Sequence, residues 1–133
     1  MSDGSQAPSE QETKRVLVVD DDLDICDILG LHVTEGGFEV VKATRGEEAI
    51  AKLSEKPDAI ILDLIMPGCG GLGVLKHLKE SKGPIPPVIV VTAYENRHPA
   101  VIEAMRDPNV VQCLAKPINQ KLLIAALQRY LPA

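Results

Sequence analysis

The 133 residues carry a net charge of −5 and are 45% hydrophobic but only 2% aromatic, which suits one domain with a core of Val, Ile, Leu and Ala. No basic cluster offers itself to nucleic acid, apolar runs such as Val88–Val91 are far too short to cross a bilayer, and no export signal opens the sequence. Cys26, Cys69 and Cys113 show neither zinc spacing nor a disulfide framework, so the expectation is a cytoplasmic protein with neither nucleic acid nor membrane as partner.

Met1 to Lys14 is polar and reads as a disordered tail, leaving 15–133 as the single domain. From Arg15 a short β-branched run followed by an amphipathic stretch occurs five times. The runs Val16–Val19, Phe38–Ala43, Ala59–Leu62, Val88–Val91 and Val110–Leu114 read as strands. The stretches Leu23–Glu35, Gly46–Glu55, Leu72–Lys79, Pro99–Arg106 and Asn119–Leu131 read as helices. Gly36 and Gly37 stop the first helix, Pro57 closes the second, and Gly83, Pro84, Pro86 and Pro87 forbid helix before the fourth strand. On the last helix, Leu122, Leu123, Ala126, Leu127 and Tyr130 read as the core-facing stripe, with a partner or dimer contact as the alternative for some of them. Alternation of this kind implies right-handed crossovers and an α/β fold with a parallel sheet buried on both faces.

Ligands of such sheets gather beyond the carboxyl ends of the strands. The first strand ends in Asp20, Asp21 and Asp22, the third in Asp63, the fourth in Thr92 and the fifth in Lys116. A single Asp at a strand end is ordinarily a turn or cap residue, and Asp22 reads as the N-cap of the first helix. The joint placement at four strand ends is not ordinary. Carboxylates about 4 Å apart repel by roughly 4 kcal/mol at an effective dielectric near 20, so such a cluster calls for a cation or for raised pKa values. Oxygen ligands suit a hard ion, and Mg²⁺ in particular completes its shell with water and phosphate oxygens. A lysine opposite adds a charge for a phosphoryl oxygen. Asp63, alone on its strand, is the candidate nucleophile, giving an aspartyl phosphate.

The segments VLVVDDD (Val16–Asp22), ILDLIMPG (Ile61–Gly68), VIVVTAY (Val88–Tyr94) and LAKP (Leu114–Pro117) together resemble the receiver domain of two-component response regulators. The resemblance implies a doubly wound, flavodoxin-like sheet of strand order 2-1-3-4-5 flanked by five helices. It implies Mg²⁺ held by Asp20, Asp21, Asp63 and the backbone carbonyl of Ile65, with Asp20 acting mainly through water. Asp63 is then the phosphoacceptor, Thr92 the hydroxyl that turns toward the phosphoryl group, Lys116 its counter-charge, and Lys116–Pro117 a cis peptide bond. The implied partners are a histidine kinase or histidine phosphotransfer protein upstream and a downstream protein target. The face of fourth helix, fifth strand and fifth helix is the implied output surface, for that target or for a homodimer. The domain would assist its own phosphorylation and dephosphorylation without being an enzyme.

Three positions depart from that pattern. Cys113 stands where an aromatic is usual, so Thr92 is expected to move without a ring flip. Gly70 stands where an Asp often caps the third helix, so the Gly68–Gly71 loop is expected to be flexible. Arg106–Gln112, with Pro108, replaces a common Gly-Ala turn. Cys113 and Met66 are expected to pack as hydrophobes, and His32, His77 and His98 to lie at or near the surface. The rival readings are a pseudo-receiver that binds partners without phosphorylation, a dehalogenase-like phosphatase and a flavodoxin-like FMN carrier. The second rival wants a carboxylate where Ile65 stands. The third wants a phosphate loop where Asp20–Asp22 would repel the phosphate.

Overall fold

Each of the five β-branched runs forms a strand of a single all-parallel sheet. The computed structural model describes residues 13–66 and 68–131. In chain order it contains β1 (Arg15–Val19), α1 (Leu23–Glu35), β2 (Glu39–Ala43), α2 (Gly46–Lys52), β3 (Ala59–Asp63), α3 (Gly70–Glu80), β4 (Val88–Thr92), α4 (Pro99–Met105), β5 (Val110–Ala115) and α5 (Gln120–Tyr130). The strand order is β2-β1-β3-β4-β5, as expected. The expected tail lies outside the described residues as far as position 12. At Lys14 the chain has already joined the sheet, since its carbonyl accepts from Glu39 N–H at 2.8 Å.

Strand alternation sends successive side chains to opposite faces, and the sheet is covered on both. Val16, Val18, Ile61, Ile89 and Val91 pack under α1 and α5 through Cys26, Leu29, Val33, Leu123, Ala126 and Leu127. Leu17, Val19, Ile60, Leu62, Val88 and Val90 pack under α2, α3 and α4 through Ala49, Val74, Leu75, Leu78, Val101 and Ala104. Met66 joins the second cluster, and Cys113 packs half-buried against it. Leu122 departs from the expected stripe. It is exposed, because the buried face of α5 is set by Leu123, Ala126 and Leu127.

Helix starts follow local side-chain chemistry. Asp22 Oδ1 caps α1 by accepting from Asp24 and Ile25 N–H at 3.0 and 3.2 Å, and Asn119 Oδ1 caps α5 by accepting from Leu122 N–H at 3.1 Å. Two helix boundaries differ from expectation by more than one residue. The second helix tightens into a 3₁₀ turn over Leu53–Glu55 and stops at Lys56, whose left-handed φ of 56° ends it one residue before Pro57. The third helix begins at Gly70, two residues before Leu72, so Gly70 and Gly71 belong to its first turn and not to a loop. The altered stretch before β5 is ordered by Asp107, whose carboxylate accepts from Asn109 N–H at 2.8 Å. A bulge follows: Val88 pairs with Val110 but Ile89 with Gln112, so Val111 is the extra residue.

Candidate functional site

Register brings the strand ends to one edge of the sheet. Val19 pairs with Leu62, Asp63 with Val91, and Thr92 with Ala115. Asp20, Asp63, Thr92 and Lys116 therefore stand at the ends of adjacent strands β1, β3, β4 and β5. The bulge in β5 fixes the last pairing, and Lys116 N–H donates to the Thr92 carbonyl at 2.9 Å. The order reverses between β1 and β3, so the crevice lies where doubly wound sheets bind ligands.

Lys116 bridges two buried carboxylates. Its Nζ donates to Asp63 Oδ2 at 3.0 Å and lies 2.8 Å from Asp20 Oδ2. The Asp20 side chain is fully buried and that of Asp63 nearly so. Asp63 Oδ1 accepts from Ile65 N–H at 3.1 Å, and Asp20 Oδ1 accepts from Asp22 N–H at 3.0 Å. Asp20 Oδ2 has the ion contact with Lys116 but no aligned hydrogen-bond donor among the described residues. Burial pushes the Asp63 carboxyl above the usual carboxylate range, against the opposing pull of Ile65 N–H and Lys116. Burial works to lower the Lys116 pKa, but Asp20 and Asp63 outweigh it and raise it, so the ammonium stays charged.

Asp20, Asp21 and Asp63 each offer a carboxylate oxygen within 4.8 Å of the others, two from buried side chains and one from the exposed Asp21. This donor set is all oxygen, with one side open, and it contains a buried oxygen lacking a hydrogen bond. Those features fit a hard divalent cation that keeps water and takes further oxygen ligands. Ile65 follows two residues behind Asp63 and is 40% exposed. Thr92, almost wholly buried, accepts from Tyr94 N–H at Oγ1, 3.1 Å away. The Lys116–Pro117 bond is cis, as the resemblance implied.

Two residues of this region escape sequence reasoning. A Cβ on Gly71 would fall 2.4 Å from the Asp63 carbonyl oxygen and 2.6 Å from Leu64 Cα. Only glycine lets the first turn of α3 rest on the backbone that carries Asp63, and Gly71 N–H donates to the Leu64 carbonyl there at 3.2 Å. The glycine run was the only signal, and at Gly71 it marks close approach. The other is His98, half-buried, whose Nδ1 accepts from Ala100 N–H at 3.1 Å and caps α4. His32 is half-buried and His77 exposed. None of the described helices is long and apolar enough to cross a membrane.

Comparison with known proteins agrees with this geometry. The response regulator receiver domain family matches residues 16–128. The chain is 37% identical over 90 residues to the alkaline phosphatase synthesis transcriptional regulatory protein PhoP of Bacillus subtilis, covering 67% of this chain and 37% of that protein. It is 32% identical over 117 residues to a CpxR homolog of Haemophilus influenzae, covering 88% of this chain and 50% of that regulator. The chain thus spans half or less of the length of these curated relatives. Among solved structures it resembles the chemotaxis protein CheY4 of Vibrio cholerae, with a TM-score of 0.78 and 30% identity over 90% of this chain and 99% of that one. With its fold, its strand-end residues and its sequence in agreement, the chain belongs to the response regulator receiver domain family.

Proposed function

We propose that this chain is a phosphoryl-accepting switch of a two-component phosphorelay, with Asp63 as acceptor. The observation that carries the reading is the bridge at Lys116: one ammonium held between Asp63 and Asp20 beside three converging carboxylates. A carboxylate oxygen of Asp63 attacks phosphorus, the P–N bond of a donor phosphohistidine breaks, and the imidazole leaves with the bonding pair. Lys116 stays within reach of the new phosphoryl oxygens, and the Thr92 hydroxyl turns to donate to one of them. Asp20, Asp21, Asp63 and the Ile65 carbonyl would hold Mg²⁺, which would supply positive charge to neutralise the transferring group.

The donor is a histidine kinase or histidine phosphotransfer protein, met in the cytoplasm. Esterification turns a single carboxylate into a group of about −1.5 to −2 charges at neutral pH. That change selects between two conformations of the face made by α4, β5 and α5, which a downstream protein target or a second copy reads. The domain turns over no outside substrate.

The test is incubation with acetyl phosphate and Mg²⁺ followed by intact-mass analysis. One phosphoryl group on the wild type and none on Asp63→Asn is the expected result. No labelling of the wild type, under conditions where it is folded, favours a receiver that works by binding alone.

A further inference from the structure

The β4–α4 loop holds an arrangement that the carboxylate chemistry leaves unexplained. Tyr94 and His98 stack face to face, their ring centroids 3.6 Å apart and their planes 9° from parallel. Each of the two residues is also tied elsewhere. Tyr94 N–H donates to Thr92 Oγ1 at 3.1 Å. His98 Nδ1 accepts from Ala100 N–H at 3.1 Å, and the His98 carbonyl accepts from Val101 and Ile102 N–H at 3.0 Å each. Pro99 opens α4 and has no N–H to satisfy. His98 therefore partners Ala100 and Val101 N–H, groups that a helix start otherwise leaves open, and accepts the first i→i−4 bond of α4 from Ile102.

We propose that His98 is a positioning residue: acting through the Tyr94 ring, it fixes the rest position of the Thr92 hydroxyl and ties that position to the first turn of α4. The inference rests on Asp63 being the phosphoryl acceptor. A Thr92 hydroxyl that turns away gives up Tyr94 N–H, and the amide of the half-buried Tyr94 shifts to a new partner. The loop then follows in one of two ways. Either Tyr94 slides off His98 and loses the stack, or His98 travels with it and leaves Ala100, Val101 and Ile102. Both ways change α4 at its start. The half-buried Tyr94 packs against the core cluster that includes Val101 and Ala104, which resists the first and favours the second. A stacked pair within the loop thus supplies an aromatic link where β5 carries only Cys113.

Two variants separate the parts. His98→Asn keeps a side-chain acceptor for the cap but has no ring to stack, and His98→Phe keeps the ring without the acceptor. The isotope-labelled full chain in each form is treated with acetyl phosphate and Mg²⁺. Uptake is read by intact mass, and the amide shifts of Ala100, Val101 and Ile102 are read by NMR. Every form is expected to take one phosphoryl group, while only the wild type shows the phosphorylation-dependent change at the three amides. His98→Asn, which loses the stack, is also expected to move the resting Tyr94 amide shift. A wild-type response in either folded variant overturns the proposal and leaves the acceptor role of Asp63 standing. A wild type that takes no phosphoryl group overturns both.

Discussion

Replacing Lys116 by Met tests the electrostatic core of the site. At an effective dielectric near 20, charges 2.8 and 3.0 Å apart attract by about 6 kcal/mol each, and carboxylates up to 4.8 Å apart repel by about 3 kcal/mol or more. Desolvation of the three groups offsets most of the attraction, so the loss expected is that of a broken buried pair, about 3–5 kcal/mol. The sign with pH follows from Asp63. Its folded-state pKa is raised above the unfolded value, first by burial, so the native state binds more protons across the interval between the two. Stability falls as pH rises through that interval. Lys116 opposes the shift, and its removal carries the interval further upward. Without Mg²⁺, K116M should therefore lose most stability above that interval and regain part of it as the pH falls through it. Mg²⁺ should restore part of the loss by mass action on the native state. Far-UV circular dichroism during urea unfolding is the assay, since the chain has no Trp and two Tyr. A K116M midpoint equal to the wild type, or a loss indifferent to both pH and Mg²⁺, would refute the reasoning.

Other substitutions probe separate links. Gly71→Ala should cost about 1–3 kcal/mol by overpacking against the Asp63 and Leu64 backbone, and should weaken Mg²⁺ binding measured by calorimetry; unchanged stability and affinity would show that α3 shifts freely. Asn119→Ala should cost about 1 kcal/mol through loss of the α5 cap, with phosphoryl uptake unchanged. If the exposed Ile65 side chain, two residues from Asp63, shields the acyl phosphate from water, Ile65→Asn should shorten the lifetime of the phosphorylated protein, followed by intact mass over time. An equally short lifetime in the wild type would dismiss that shielding role.

How legible the site was depends on the kind of interaction that builds each part. Asp20, Asp21, Asp63, Thr92 and Lys116 were readable because each follows a β-branched run, and parallel strands that share a register end on one edge. The cap at Asp22 was readable because capping acts within three residues. The role of Gly71 was not readable, because a glycine that permits close approach looks in sequence like one that permits freedom. Only the position of the Asp63 carbonyl, brought in by the packing of α3 on β3, separates the two cases. His98 was unremarkable until its Nδ1 met Ala100 and its ring met Tyr94.

By itself the sequence determined the element alternation, the apolar faces and the identities of the charged groups, because these rest on local periodicity and on residue chemistry. Tertiary structure alone decided that Lys116 lies between Asp63 and Asp20, 53 residues from the former, and that the bulge at Val111 keeps Ala115 opposite Thr92. Those outcomes depend on distances between segments far apart in the chain, fixed by the packing of helices on both faces of the sheet, and no local pattern encodes them.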